Sequence, residues 1–263
     1  MQKNIIKLIR LFHKISYKSW IKGTSSFNKT GNVGLTFENE LHKKADSKYL
    51  PDFEGIEIKC TTRYSNYPLN LFTMAMTGNT VAEINRLIEK YGYYTNDYPD
   101  KKILIEDFNK KTTNLIDGKW IFKLEIEKQE DKLFLAIYDK SNNLVEKETY
   151  IKLSNLHNRL ITKLNTLAFI KASKKNINNT DYFRYYEISI YKLTSFDKFL
   201  ELLRKKIINV TIMGRISKSG EKKGQYRNKN LIFNIEKENI ELLYEKIYYY
   251  NHDKNIRFNK RGI

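Results

Sequence analysis

The chain holds one cysteine, three prolines and four histidines in 263 residues, and each scarcity closes off a class of protein. The lone Cys60 cannot form an intramolecular disulfide, and with four scattered histidines it offers no zinc constellation. Three prolines and no low-complexity tract leave no visible linker, so one bilobed domain over 1–263 is expected. A long apolar run is missing too. Ile5 to Trp20 is interrupted by Lys7, Arg10, His13, Lys14 and Lys18, which suits neither a signal peptide nor a membrane span. The setting expected is reducing and cytoplasmic, with no membrane partner.

Acidic residues are also in short supply, with 48 Lys and Arg standing against 30 Asp and Glu for a net charge of +18. Residues 1–50 carry 10 basic and 3 acidic side chains, residues 51–200 carry 23 and 20, and residues 201–263 carry 15 and 7. The excess therefore sits at the two ends, as in a protein that grips a polyanion between two arms. With 41% hydrophobic and 13% aromatic residues the chain can bury a sizeable core.

What is present is a short run at residues 49–60, Tyr-Leu-Pro-Asp-Phe-Glu-Gly-Ile-Glu-Ile-Lys-Cys. In a strand, alternate side chains share a face, so Glu57 and Lys59 lie side by side while Ile56 and Ile58 point to the core. Asp52 precedes Gly55, where the chain can turn and return the Asp52 carboxylate to Glu57. Two carboxylates suit Mg²⁺, which is held by one or two of them together with phosphate oxygens. A cation there polarises a phosphate, and Lys59 orients a water or offsets charge on the phosphoryl group. The chemistry implied is phosphodiester hydrolysis. Alone, this spacing arises by chance in about one lysine-rich chain in five, so it needs support.

Support comes from Gly31-Asn-Val-Gly-Leu-Thr-Phe-Glu-Asn-Glu-Leu41, which places Glu38 fourteen residues before Asp52. The ordered set of Gly34, Phe37-Glu38, Leu41, Pro51-Asp52-Phe53 and Ile56-Glu57-Ile58-Lys59, followed by Leu69-Asn-Leu-Phe-Thr73, resembles the MvaI/BcnI restriction endonucleases. The mismatch-repair nicking enzyme MutH is a more distant relative with similar spacing. The resemblance is dense over about residues 15 to 95 and thinner beyond. It implies the restriction-endonuclease-like fold, Asp52 and Glu57 as metal ligands, Lys59 as catalytic lysine, and Glu38 supporting the site from the preceding helix. It also implies a monomer acting on double-stranded DNA in a bacterial cytoplasm, and a cognate DNA methyltransferase that protects the host. Two other readings stand beside it. One is a MutH-like nicking enzyme, and the other is a non-catalytic basic DNA-binding module in which Asp52, Glu57 and Lys59 form a surface salt-bridge cluster.

Along the chain, periodicity predicts an amphipathic helix from Ile5 to Trp20, a helix through Phe37, Leu41 and Ala45, strands at about 55–62 and 68–73, and a helix from Val81 to Tyr91. A meander follows at about 102–106, 118–127, 132–138 and 144–151, then a helix near 153–164, strands at 166–173 and 181–192, and a helix at 195–206. This mixture predicts an α/β or α+β fold, a mixed sheet flanked by helices. Residues up to about 150 are expected to form a catalytic lobe, and 151–263 a DNA-recognition lobe. Tyr248-Tyr-Tyr250 reads as helix packing.

A second candidate site lies between strands expected at Ile208–Ile216 and Leu231–Ile235. The insert Lys218-Ser-Gly-Glu-Lys-Lys-Gly-Gln-Tyr-Arg-Asn-Lys-Asn230 is polar, basic and hinged on glycines. Arg227, Asn228 and Lys229 are types that hydrogen-bond guanine or adenine in the major groove, and Tyr226 can stack or pack on sugar. Lys218, Lys222 and Lys223 suit phosphates, and Arg215 at the end of the preceding strand joins them. Thr61, Arg63 and Tyr64, just past the catalytic strand, are candidates for the backbone of the cut strand.

Overall fold

The structure, a computed structural model, describes residues 2–25, 31–42, 50–76, 80–108, 118–218 and 220–254. In chain order the elements begin α1 (Gln2–Ser16), β1 (Ile21–Lys22), α2 (Asn32–Glu40), β2 (Glu57–Thr62), β3 (Leu69–Met74), α3 (Thr80–Tyr91) and β4 (Tyr93–Thr95). There follow β5 (Tyr98–Asp107), β6 (Trp120–Glu127), β7 (Lys132–Asp139), β8 (Leu144–Glu146), β9 (Tyr150–Lys152) and α4 (Leu153–Leu164). The chain closes with β10 (Thr166–Ile177), β11 (Thr180–Leu193), α5 (Phe196–Arg204), β12 (Ile208–Ile216), β13 (Tyr226–Ile235), α6 (Ile240–Leu243) and β14 (Tyr244–Asn251).

Two compact units arise, one from Met1–Tyr67, Arg159–Ser195 and Glu241–Ile263, the other from Pro68–Asn158 and Phe196–Ile240. The division is not the single boundary expected near residue 150. Each unit draws on both halves of the sequence, because β2 finds its neighbour in β10 and β3 finds its neighbour in β13.

In the first unit, strands run in the order β1-β11-β10-β2, with β14 also on β11. All pairs are antiparallel except β10 with β2, which run parallel with Leu167 opposite Glu57 and Phe169 opposite Lys59. One face of this sheet is covered by α1 through Leu8, Phe12 and Ile15, spaced as one stripe of a helix, and by Val33 and Phe37 of α2. These meet Ile56, Ile58, Ala168, Ile170, Tyr185 and Ile188 in a continuous core. The Tyr185 hydroxyl donates to the Val33 carbonyl (2.7 Å) and ties α2 to the sheet.

The second unit holds a sheet in the order β3-β13-β12-β5-β4 and a smaller one, β6-β7-β8 with β9 also on β7. Strand β12 is buried at Ile208, Val210, Ile212, Gly214 and Ile216, the strict alternation expected of a half-covered strand. Helix α3 is joined to the smaller sheet by a charged network. Glu146, nearly fully buried, accepts from Arg86 (2.7 Å), Lys90 (2.7 Å) and the Tyr91 hydroxyl (2.6 Å). Burial alone would raise its pKa, but these donors outweigh it and hold the carboxyl at about 2, against an ordinary 4.5.

A carboxyl depressed in the folded state contributes stability that is present above its unfolded pKa and lost as pH falls toward the folded one. The window here runs from about 4.5 down to 2. With exposed Lys90 and Arg86 screened by water, the contribution is about 2 kcal/mol. Urea unfolding of the parent is therefore expected to lose about 2 kcal/mol more than Glu146→Gln between pH 6 and about pH 2.5. Equal losses would remove this network from the acid response.

Four sequence expectations change. Tyr226 to Asn230 belong to β13 rather than to the loop, because their backbones pair with β12, Ile216 opposite Tyr226 and Gly214 opposite Asn228. Tyr248–Tyr250 lie on β14, not a helix, paired with Ser189 and its neighbours on β11. The strand expected at 144–151 is two short pieces, β8 and β9. Helix α2 ends at Glu40, and Ala45 lies outside the described residues.

Candidate active site

The site is built on a two-residue turn. Phe53 and Ile56 exchange backbone hydrogen bonds (2.9 and 2.8 Å) across Glu54 and Gly55, whose φ values are +44° and +89°. Two consecutive positive φ values are what the tightest hairpin connection demands, and Gly55 meets that demand without strain. An added Cβ at Gly55 would touch nothing within 4 Å, so the requirement is conformational. Helix α1 pins the turn: Asn4 donates to the Glu54 carbonyl (2.9 Å) and Lys7 pairs with the Glu54 carboxylate. Asp52 is thereby turned back on β2, where its Oδ2 accepts from the Ile58 N–H at 3.0 Å.

Glu57 opens β2 on the face opposite Ile56 and Ile58, as alternation predicts, and only 1% of it is exposed. Lys59 shares that face and sets its Nζ 2.8 Å from Glu57 Oε1. Burial pushes the Glu57 carboxyl up, Lys59 opposes this, and the Asp52 charge adds to it. Both carboxylates thus feel each other at one place. The reading of these residues as a surface salt-bridge cluster does not hold, since a carboxylate this deeply buried is no surface group.

Glu38 is half-buried on α2. Its charge and that of Asp52 both act on the Cys60 thiol, which burial already pushes well up. Glu38 therefore belongs to the same end of the sheet, and Cys60, partly buried, packs against the core. Two neighbours carried no signal in the sequence. Lys163 of α4 places its Nζ 3.1 Å from Glu57 Oε2, and the Tyr244 hydroxyl, buried at the start of β14, lies within electrostatic reach of Glu57. Among the described residues, neither Oε2 nor the Tyr244 hydroxyl, both buried, has a hydrogen-bond partner.

These residues fit a divalent cation. Among the described residues there is no cluster of three or more His, Cys, Asp and Glu, but two convergent carboxylates and a buried oxygen without a hydrogen bond are the set an oxygen-seeking ion uses when phosphate completes it.

Thr61 lies within β2 and is buried, whereas Tyr64, past its end, is 87% exposed. Arg63 stacks over the Tyr186 ring at 4.8 Å and shares Asp253 with Arg184. In the second unit Arg215 stands opposite Arg227 across β12 and β13. The connecting turn is closed by Gly220 and Gly224 in left-handed conformations and by the Ser217 N–H donating to the Gln225 carbonyl (2.9 Å). Lys222 and Lys223 are exposed on it, and Lys218 pairs with Asp97. Tyr226 donates to the Lys102 carbonyl (3.2 Å) and lines an open cleft of about 480 Å³ with Tyr94, Lys101 and Lys102. The side chains of Arg227, Asn228 and Lys229 lie outside the described residues.

The model of the MvaI/BcnI restriction endonuclease family matches residues 9–244. The chain belongs to that family. It is a Type II restriction endonuclease, a hydrolase that cuts DNA at specific sites. The complex of restriction endonuclease MvaI with its cognate DNA substrate superimposes at a TM-score of 0.81, with 25% identity over 94% of this chain and 98% of that one. MvaI in the absence of DNA gives 0.58, with 25% identity over 95% and 98%. No curated protein sequence matches. The restriction-endonuclease fold is thus established, and the family generally works with a divalent metal. Among the described residues no helix is long and apolar enough to cross a membrane.

Proposed function

We propose that this family member is a Mg²⁺-dependent enzyme that hydrolyses phosphodiester bonds of double-stranded DNA at a short site read by its second unit. The observation that carries the reading is the buried Glu57 paired with Lys59, with Asp52 turned back beside it. Asp52 and Glu57 would hold the cation, and Glu38 supports them from α2. When bound, the cation supplies positive charge to the phosphate and lowers the pKa of the attacking water. Asp52 is held for this by the Ile58 amide, and Lys59, fixed by Glu57, is placed to donate to the water or to the phosphate oxygen that gains charge.

For recognition we assign the β12–β13 hairpin. Arg227, Asn228 and Lys229 are the types that read base edges, and Tyr226 and Arg215 flank them. Lys218, Lys222 and Lys223 suit the phosphate backbone, which makes binding salt-sensitive. Arg63 and Tyr64 are assigned to the backbone of the cut strand. Thr61, being buried, serves more through packing than by touching DNA. The enzyme would act as a monomer in a bacterial cytoplasm, alongside a separately acting methyltransferase of the same specificity.

The test is to incubate the purified protein with unmethylated plasmid and phage DNA, with Mg²⁺ or with chelator, and to map fragment ends by sequencing. Discrete Mg²⁺-dependent ends that share a short motif are expected. Cleavage that persists in chelator, or ends without a common motif, would overturn the reading.

A further inference from the structure

We propose that Lys163 is a positioning residue of the active site, holding the Glu57 carboxylate from its second oxygen while no metal is bound and yielding that oxygen to the cation. This rests on the reading of Asp52 and Glu57 as metal ligands. Glu57 is 1% exposed, and a carboxylate withdrawn from water needs opposite charge close by. Lys59 supplies it at Oε1, 2.8 Å away, through a hydrogen bond. Oε2 is different. The Lys163 ammonium lies 3.1 Å from it, yet Oε2 accepts no aligned hydrogen bond. The contact is one of charge and is readily released.

The placement of Lys163 is a product of the topology. Helix α4 ends at Leu164, β10 begins at Thr166, and Leu167 stands opposite Glu57 in the parallel pair. The last turn of the helix must therefore deliver its lysine beside the carboxylate. The Lys163 side chain is only 11% exposed and also points its ammonium at the Leu50 carbonyl (3.4 Å). Lysine is rarely buried without a carboxylate to answer it. The buried Tyr244 hydroxyl, within electrostatic reach of Glu57, has no hydrogen-bond partner among the described residues. If Glu57 held a cation there, Oε2 would become one of its ligands and a water of the cation could serve that hydroxyl.

An ammonium and a divalent cation that compete for one oxygen repel each other. Lys163→Gln, which keeps chain length and polarity but removes charge, is expected to bind Mn²⁺ at least about threefold more tightly than the parent. Free Mn²⁺ can be followed by its paramagnetic resonance. The same variant is expected to melt several degrees lower without metal, and Lys163→Arg to restore both readouts. A lysine of merely structural value would lower stability and metal affinity together, so unchanged or weaker Mn²⁺ binding by folded Lys163→Gln overturns the proposal. The parent provides a second measurement that does not depend on the variant folding. Labelling of Lys163 by an amine reagent, read by mass spectrometry, is expected to rise with Mn²⁺, and labelling that stays level or falls also overturns it. If the parent binds no Mn²⁺, or Glu57→Gln binds it as well as the parent does, the metal-site reading fails first and Lys163 falls with it.

Discussion

Lys59→Ala is expected to lower the rate of DNA cleavage at least about a thousandfold while leaving the protein folded and able to bind DNA. The Lys59 side chain is 22% exposed, so its loss removes little packing, and Lys163 remains beside Glu57 to offset the buried charge. What disappears is the more exposed of the two lysines that touch Glu57 among the described residues. No neighbour replaces it: Lys163 sits on the other oxygen, and Arg63 is engaged by Tyr186 and Asp253. Single-turnover cleavage at saturating Mg²⁺, compared with DNA affinity in Ca²⁺, separates the two effects. A variant that cuts within tenfold of the parent would remove Lys59 from the chemistry.

Asp52→Asn should produce a loss of similar size by a different route. Asn keeps an oxygen able to accept from the Ile58 amide, so the turn across Glu54 and Gly55 should persist, with stability changed by less than about 1 kcal/mol. The substitution removes negative charge where a cation is to be held, and it relieves Glu57 of a charge that pushes its carboxyl up. Raising Mg²⁺ should rescue the variant only in part. If thermal stability collapses along with activity, Asp52 is chiefly a structural residue of the turn. Parental cleavage at low Mg²⁺ would exclude it as a ligand.

The run at residues 49–60 was legible because its logic is local. Alternation along residues 56–60 sorts Glu57 and Lys59 from Ile56 and Ile58, and Gly55 marks the turn that returns Asp52; all three features are found in the structure. Strands and helices with a full apolar stripe, such as α4 and β12, could also be read from their period. Lys163 and Tyr244 could not. Their place beside Glu57 is fixed by strand pairings between distant segments, and nothing in the sequence around either residue differs from an ordinary amphipathic element. The same limit explains the interleaved units, since pairing between β2 and β10 leaves no mark at residue 150. Tyr226 to Asn230 were read as loop because their polarity resembles that of the turn before them, yet pairing with β12 satisfies their backbones as a strand.

The parallel pairing of β2 with β10 also bears on how the enzyme comes into being on the ribosome. When Asp52, Glu57 and Lys59 have emerged, β10, Lys163 and β14 have not yet been translated, so Glu57 has neither its sheet neighbour nor its second cation. At ordinary rates of synthesis Lys163 and the start of β10 follow roughly 5 to 20 s later, and β14 roughly 10 to 40 s later. By then the first segment of the second unit is already out. A nascent chain therefore carries Asp52, Glu57 and Lys59 without an assembled site, and a product that stops before β10 would lack both the sheet neighbour and the second cation of Glu57.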